Sequence, residues 1–181
     1  MDDDRKRGEP METLEARLLE SDRVGRGMAQ WREERPDIDC SGKAVIGRVL
    51  HLHDVILRSA NRVLQRHGLK YPTYAVLATL RVAGAPYRMS PSELSETLLL
   101  SSGGLSNLLR RMEKEGYIAR SPDKRDRRGV IVQLTQKGIA KADQSMADHA
   151  AIERSLVGCL PPERQLEVAR ALGLMIAVAE R

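Results

Sequence analysis

Apolar positions recur at helical spacing along most of the chain. Between Thr13 and Glu34 they fall at Leu14, Leu18, Val24, Met28 and Trp31, which predicts one amphipathic helix. Gly25 and Gly27 weaken its middle. Pro36 ends it, because the residue before a proline is pushed out of helical geometry. A second helix is predicted from about Ser41 to His67, on Ala44, Val45, Val49, Leu52, Val55, Ile56 and Val63, with Gly68 as its stop. Pro72 opens a third, closed by Gly84, and Tyr87–Met89 suits a brief strand.

The segment SPSELSETL carries the clearest local signal. Ser90 is a helix cap, Pro91 takes the first helical position, and Glu93 completes a capping box three residues after the cap. This short helix ends near Leu98. After LLSS comes GGLSNLLRRMEKEG, whose buried stripe is Leu105, Leu108, Leu109 and Met112, with Gly116 as the stop. The period then changes from 3.6 to 2. YIARS and GVIVQLT are predicted as two strands joined by the charged turn PDKRDRR. Thr135 caps a long helix to about Gly158, and a last one starts at Pro161 or Pro162.

Composition changes this picture in two ways. Aromatic residues are 3% of the chain and Phe is absent, so the core must be aliphatic, which favours helices. Charge is also unevenly placed. Residues 42–100 carry 8 basic against 3 acidic residues and residues 101–130 carry 8 against 4, whereas residues 1–41 carry 8 against 12. A basic centre between acidic or neutral ends suggests an anionic partner, with DNA the leading candidate. No apolar run approaches the ~20 residues that cross a bilayer. The first residues lack the apolar segment of a signal peptide, so a cytoplasmic protein is expected. Cys40 and Cys159 make neither a disulfide framework nor a metal site.

A helix, a short capped helix, a tight turn, a helix and a ribbon in that order predict a mostly α fold with a small β ribbon, a winged helix-turn-helix. In such a fold the second of the paired helices lies in the DNA major groove. Ser101, Ser102, Gly103, Ser106, Asn107, Arg110 and Arg111 lead into it or lie along it, largely opposite the leucine stripe. They offer small size for close approach, donors and acceptors for base edges, and cations for phosphates. At the ribbon tip, Lys124, Arg125 and Arg127 are placed to reach phosphates and the adjacent minor groove. Asp126 and Arg128 are placed to pair and hold the turn in shape.

The stretch from Leu100 to Gly138 resembles the multiple antibiotic resistance regulator (MarR) family. The resemblance rests on the D-x-R-D-x-R-G wing, Asp123 to Gly129, and the V-x-L-T-x-x-G run, Val132 to Gly138. It implies a homodimer with interlocking terminal helices, a pseudo-palindromic operator, repression, and release by a small molecule or oxidant. The extra N-terminal helix and QWREERPDIDCSG resemble the family's urate-responsive branch, where a Trp at the position of Trp31 belongs to the ligand site. Ala75 and Leu108 stand where that branch carries an aspartate and an arginine. Loss of that charged pair removes the groups that would hold an anionic purine, so a more apolar effector such as a phenolic compound is expected. Trp31 has an alternative reading as filler between the helices of the dimer.

His51 and His53, two apart on a helix, are expected to diverge and not share an ion, though His51 is placed to line an effector pocket. Cys40 offers a second reading, a thiol-based redox sensor. Asp37 and Asp39 beside it work against a reactive thiolate, and the resemblance puts the family's peroxide-sensing cysteine near Gly47. A third reading is a winged-helix protein-interaction module without DNA. No enzyme motif, cofactor motif or metal motif is present. The expected layout is a disordered tail over 1–12 and N-terminal helices for dimerisation and ligand over 13–67. A DNA-binding domain over 68–135 and C-terminal dimerisation helices over 136–181 complete it.

Overall fold

The computed structural model describes residues 17, 19–98, 102–123 and 129–181. The chain divides into two compact units, Met1–Val55 and Ile56–Arg181.

In the first unit residues 19–21 are helical, Asp22 leaves the helix, and α1 runs over Arg23–Glu34. The expected uninterrupted helix from Thr13 to Glu34 is therefore corrected at Asp22, and residues 13–16 and 18 lie outside the described residues. The break has a local cause. Asp22 becomes an N-cap whose Oδ1 accepts from the Gly25 amide at 2.7 Å. Gly25 is required there, because a Cβ on it would stand 2.1 Å from the Leu19 carbonyl oxygen. Arg48, on α2 (Lys43–Leu64), donates from Nε to Asp22 Oδ2 at 2.8 Å and from Nη2 to the Leu19 carbonyl at 2.7 Å. The Gly25 amide first, and Arg48 second, hold the Asp22 carboxyl below its usual range. α1 ends one residue before Arg35, as Pro36 predicts.

In the second unit the end of α2 passes into a 3₁₀ turn, Gln65–His67, stopped by Gly68 at φ 68°. Then come α3 (Tyr71–Val82), β1 (Arg88–Met89), α4 (Pro91–Leu98), α5 (Ser102–Lys114), β2 (Ile118–Pro122) and β3 (Val130–Leu134). α6 (Gln136–Val157) and α7 (Pro162–Ala179) complete it. The three strands form one antiparallel sheet in the order β1-β3-β2, with Ile118 opposite Leu134 and Arg88 opposite Gln133. The brief strand expected at Tyr87–Met89 is thus part of the ribbon, which has three strands where two were predicted beyond α5.

The core is largely aliphatic, with Tyr74 of α3 buried in it. Leu77 and Leu80 of α3, Leu94 of α4, Leu105, Leu109 and Met112 of α5, Ile118 of β2 and Val132 of β3 are buried together. α6 packs against α3 and adds Ala142. α7 differs, because none of its residues is buried. Among the described residues no helix is long and apolar enough to cross a membrane.

Candidate nucleic-acid interface

α4 and α5 form the helix pair, and their orientation is set by local chemistry. The Ser90 amide donates to Glu93 Oε2 at 2.6 Å, and the Glu93 amide donates to Ser90 Oγ at 3.2 Å, the reciprocal capping box the sequence predicts. The Ser90 amide and hydroxyl hold the Glu93 carboxyl below its usual range. α4 then packs Leu94 into the core against α3 and α5.

α5 keeps Leu105, Leu108, Leu109 and Met112 inside and leaves Gly103, Ser106, Asn107, Arg110 and Arg111 exposed. Five of the predicted reading residues therefore lie on the exposed side of one helix. Ser102 is the first residue of that helix, and Ser101 lies outside the described residues. A Cβ on Gly103 would meet nothing within 4 Å, so this glycine answers no packing need of the chain itself. Arg110 Nη1 donates to Asn107 Oδ1 at 3.0 Å. Arg111 Nε lies 4.0 Å from Glu115 Oε1, a loose contact that leaves the guanidinium accessible.

The ribbon is fastened at its base. The Asp123 amide donates to the Gly129 carbonyl at 2.9 Å, and the Thr135 amide to the Tyr117 carbonyl at 3.0 Å. Thr135 Oγ1 donates to the Gly116 carbonyl at 2.7 Å and accepts from the Gly138 amide at 3.1 Å, so one hydroxyl joins the stop after α5 to the start of α6. Gly138 is obligatory, since a Cβ there would stand 2.0 Å from the Tyr117 carbonyl oxygen. The V-x-L-T-x-x-G run is therefore a folding device. Lys124, Arg125, Asp126, Arg127 and Arg128 lie outside the described residues.

Sequence reading missed one tie between helix and wing. Arg120 of β2 donates from Nε to Glu113 Oε2 of α5 at 2.8 Å and holds that carboxyl below its usual range. The signal was a pair of opposite charges seven residues apart across Gly116.

The predicted effector residues fall in both units. In the first, Trp31 is exposed, and the Lys43 ammonium sits 4.3 Å from its ring centroid, a cation–π contact. His51 lines a cleft of about 430 Å³ with Arg23, Val24, Leu50 and Asp54. His53 borders the same cleft. Among the described residues no group of three or more His, Cys, Asp or Glu is placed to hold a metal. In the second unit Ala75 is half-buried and Leu108 is a core residue. Cys40 is buried, and a Cβ at Gly47 would stand 3.0 Å from Val24 Cγ1.

Comparison with known proteins agrees with this geometry. The MarR family profile matches residues 67–129, from the last residue of the 3₁₀ turn to Gly129. The HTH-type transcriptional regulator PecS of Dickeya dadantii is 34% identical over 158 residues, 87% of this chain and 93% of that protein. The crystal structure of a MarR mutant from E. coli complexed with operator DNA is 27% identical. It covers 82% of this chain and 96% of that one, with a TM-score of 0.64. AbsC, a MarR family transcriptional regulator from Streptomyces coelicolor, shares the fold with a TM-score of 0.72 at 24% identity, over 79% and 97% of the two chains. The chain belongs to the MarR family of transcriptional regulators, DNA-binding proteins that are not enzymes.

Proposed function

We propose that this regulator is a cytoplasmic repressor that binds a pseudo-palindromic operator as a homodimer and is released by a small aromatic or phenolic effector. The exposed side of α5 carries the reading: a helix anchored by four buried aliphatic side chains presents Gly103, Ser106, Asn107, Arg110 and Arg111 outward. Ser101 and Ser102 at its start and Lys124, Arg125 and Arg127 on the wing extend the same DNA contact, with Asp126 and Arg128 shaping the turn. The dimer is supported by α7, whose Leu166, Val168, Leu174, Met175, Ile176 and Val178 are exposed. A two-fold dimer sets two reading helices about one turn of DNA apart.

Trp31 and His51 supply an aromatic ring and an imidazole suited to a phenolic effector. The lack of charge at Ala75 and Leu108 favours a ligand less polar than urate. Such a ligand relieves repression by favouring a dimer geometry in which the reading heads no longer match the operator. The test is a fluorescence titration against the gene's own upstream DNA at two salt concentrations, with urate and with a phenol. Tight binding that weakens steeply with salt and is relieved by the phenol supports the reading. Salt-insensitive or absent binding refutes the DNA reader, and relief by urate refutes the argument from Ala75 and Leu108.

A further inference from the structure

The hydrogen bond between Asn107 and Arg110 has a consequence for which base this helix accepts. The two residues stand one turn apart on α5, both exposed, with Arg110 Nη1 donating to Asn107 Oδ1 at 3.0 Å. Arginine has donors only, so the Asn107 amide must turn its oxygen toward the guanidinium. Its NH₂ group, with two donors, is thereby turned away from Arg110. The guanidinium keeps four of its five N–H groups for other partners.

An asparagine that reads adenine uses both halves of its amide, the oxygen accepting from the base's amino group and the nitrogen donating to N7. Here one of the oxygen's two lone pairs is already engaged, and any amino group approaching the other would also meet the positive charge of Arg110. Adenine and cytosine present such amino groups in the major groove. Guanine presents two adjacent acceptors there, N7 and O6, and no donor. The Ser106 hydroxyl, exposed one residue earlier, turns either way and leaves this preference unchanged. Gly103 places no side chain in front of the helix.

We propose that Asn107 and Arg110 act as one donor-only unit that selects guanine in each operator half-site and rejects adenine at the same step. The inference rests on the reading of α5 as the DNA-binding helix. Its test is selection of duplexes from a randomised library by the full-length protein, followed by titration of the best duplex and of its guanine-to-adenine variant. The enriched motif should hold a guanine in each half-site whose replacement weakens binding about tenfold, the scale of one bidentate base contact.

In Arg110→Met the amide is released, so the Asn107 position should turn to adenine, with circular dichroism confirming the fold. Asn107→Asp keeps a partner for Arg110 but exchanges the two donors for an acceptor. That variant should move the same position toward cytosine, whose amino group suits a carboxylate. A motif without guanine, or a folded variant of either kind with the motif unchanged, overturns the donor-only unit and leaves the DNA reader standing. Failure to enrich any duplex refutes the DNA reader, and this inference with it.

Discussion

α5 and α7 both carry leucine-rich stripes, yet Leu105, Leu109 and Met112 are 2%, 2% and 0% exposed while Leu174, Ile176 and Val178 are 68%, 57% and 62% exposed. α5 finds its apolar partner inside the chain, in α3, α4 and the sheet, so its polar side is left for something else. Among the described residues, α7 has none that is buried. Each large aliphatic side chain that stays wet forgoes about 1.5–3 kcal/mol of burial. A contiguous set of them on one helix marks a surface that is completed from outside. The contrast supports the two roles proposed for these helices, α5 against DNA and α7 against a second copy of the chain.

The largest break in this comparison should come from the buried side of α5. Leu109→Ala should cost about 2–5 kcal/mol in denaturant unfolding, because it leaves a cavity among tightly packed neighbours. A smaller cost would mean that α5 is not the anchor of the unit. Ile176→Glu on α7 should behave in the opposite way. Surface changes of this kind cost within about 0.5 kcal/mol, yet light scattering should show the dimer replaced by monomer. An unchanged mass would remove α7 from the interface.

Gly103→Leu sharpens the same contrast on the exposed side. A Cβ there meets nothing, so thermal stability should hold to within about 1 kcal/mol, the helix-propensity difference. Duplex affinity should nevertheless fall about tenfold or more, as for a lost base contact. Retained affinity would move the reading face elsewhere.

Two ionisable groups give the smallest effects, at opposite ends of the pH scale. Tyr74, buried on α3 and stacked 4.3 Å from His149, is pushed up to about 12, chiefly by burial. The folded chain gives up this proton later than the unfolded chain, so its contribution is full below about pH 10 and is lost as pH rises toward 12. Tyrosinate absorbance should show a late-titrating phenol that is lost in Tyr74→Phe. Glu113 is depressed by Arg120, so its contribution is present above its unfolded value and lost as pH falls through its folded one. Glu113→Gln should flatten the acid side of the stability profile slightly and leave the alkaline side untouched.

The elements that local chemistry determines were legible in advance. The Ser90–Glu93 box, the Thr135 cap, the Gly68 and Gly116 stops and the leucine stripe of α5 each depend on residues within a few positions of one another. What escaped depends on distance. At Asp22 the cap itself is local, but the Arg48 guanidinium that also binds it comes from 26 residues away. Strand β1 joins the ribbon only because Arg88 reaches Gln133 across the fold. In the reading face, side-chain types and spacing gave the list, but the bond that makes Asn107 and Arg110 one unit required their geometry. For Leu108 the helical spacing already placed the side chain in the buried stripe, where it is found.

The fastening of the ribbon bears on how such regulators diversify. Both closing bonds, Asp123 to Gly129 and Thr135 to Tyr117, run through backbone atoms, and the Thr135 hydroxyl locks the lower one to α6. The five residues between Asp123 and Gly129 are therefore attached like an exchangeable bit in a fixed chuck. On the DNA reading proposed above, their charge can be retuned, residue by residue, while the backbone bonds that fasten the ribbon stay unchanged.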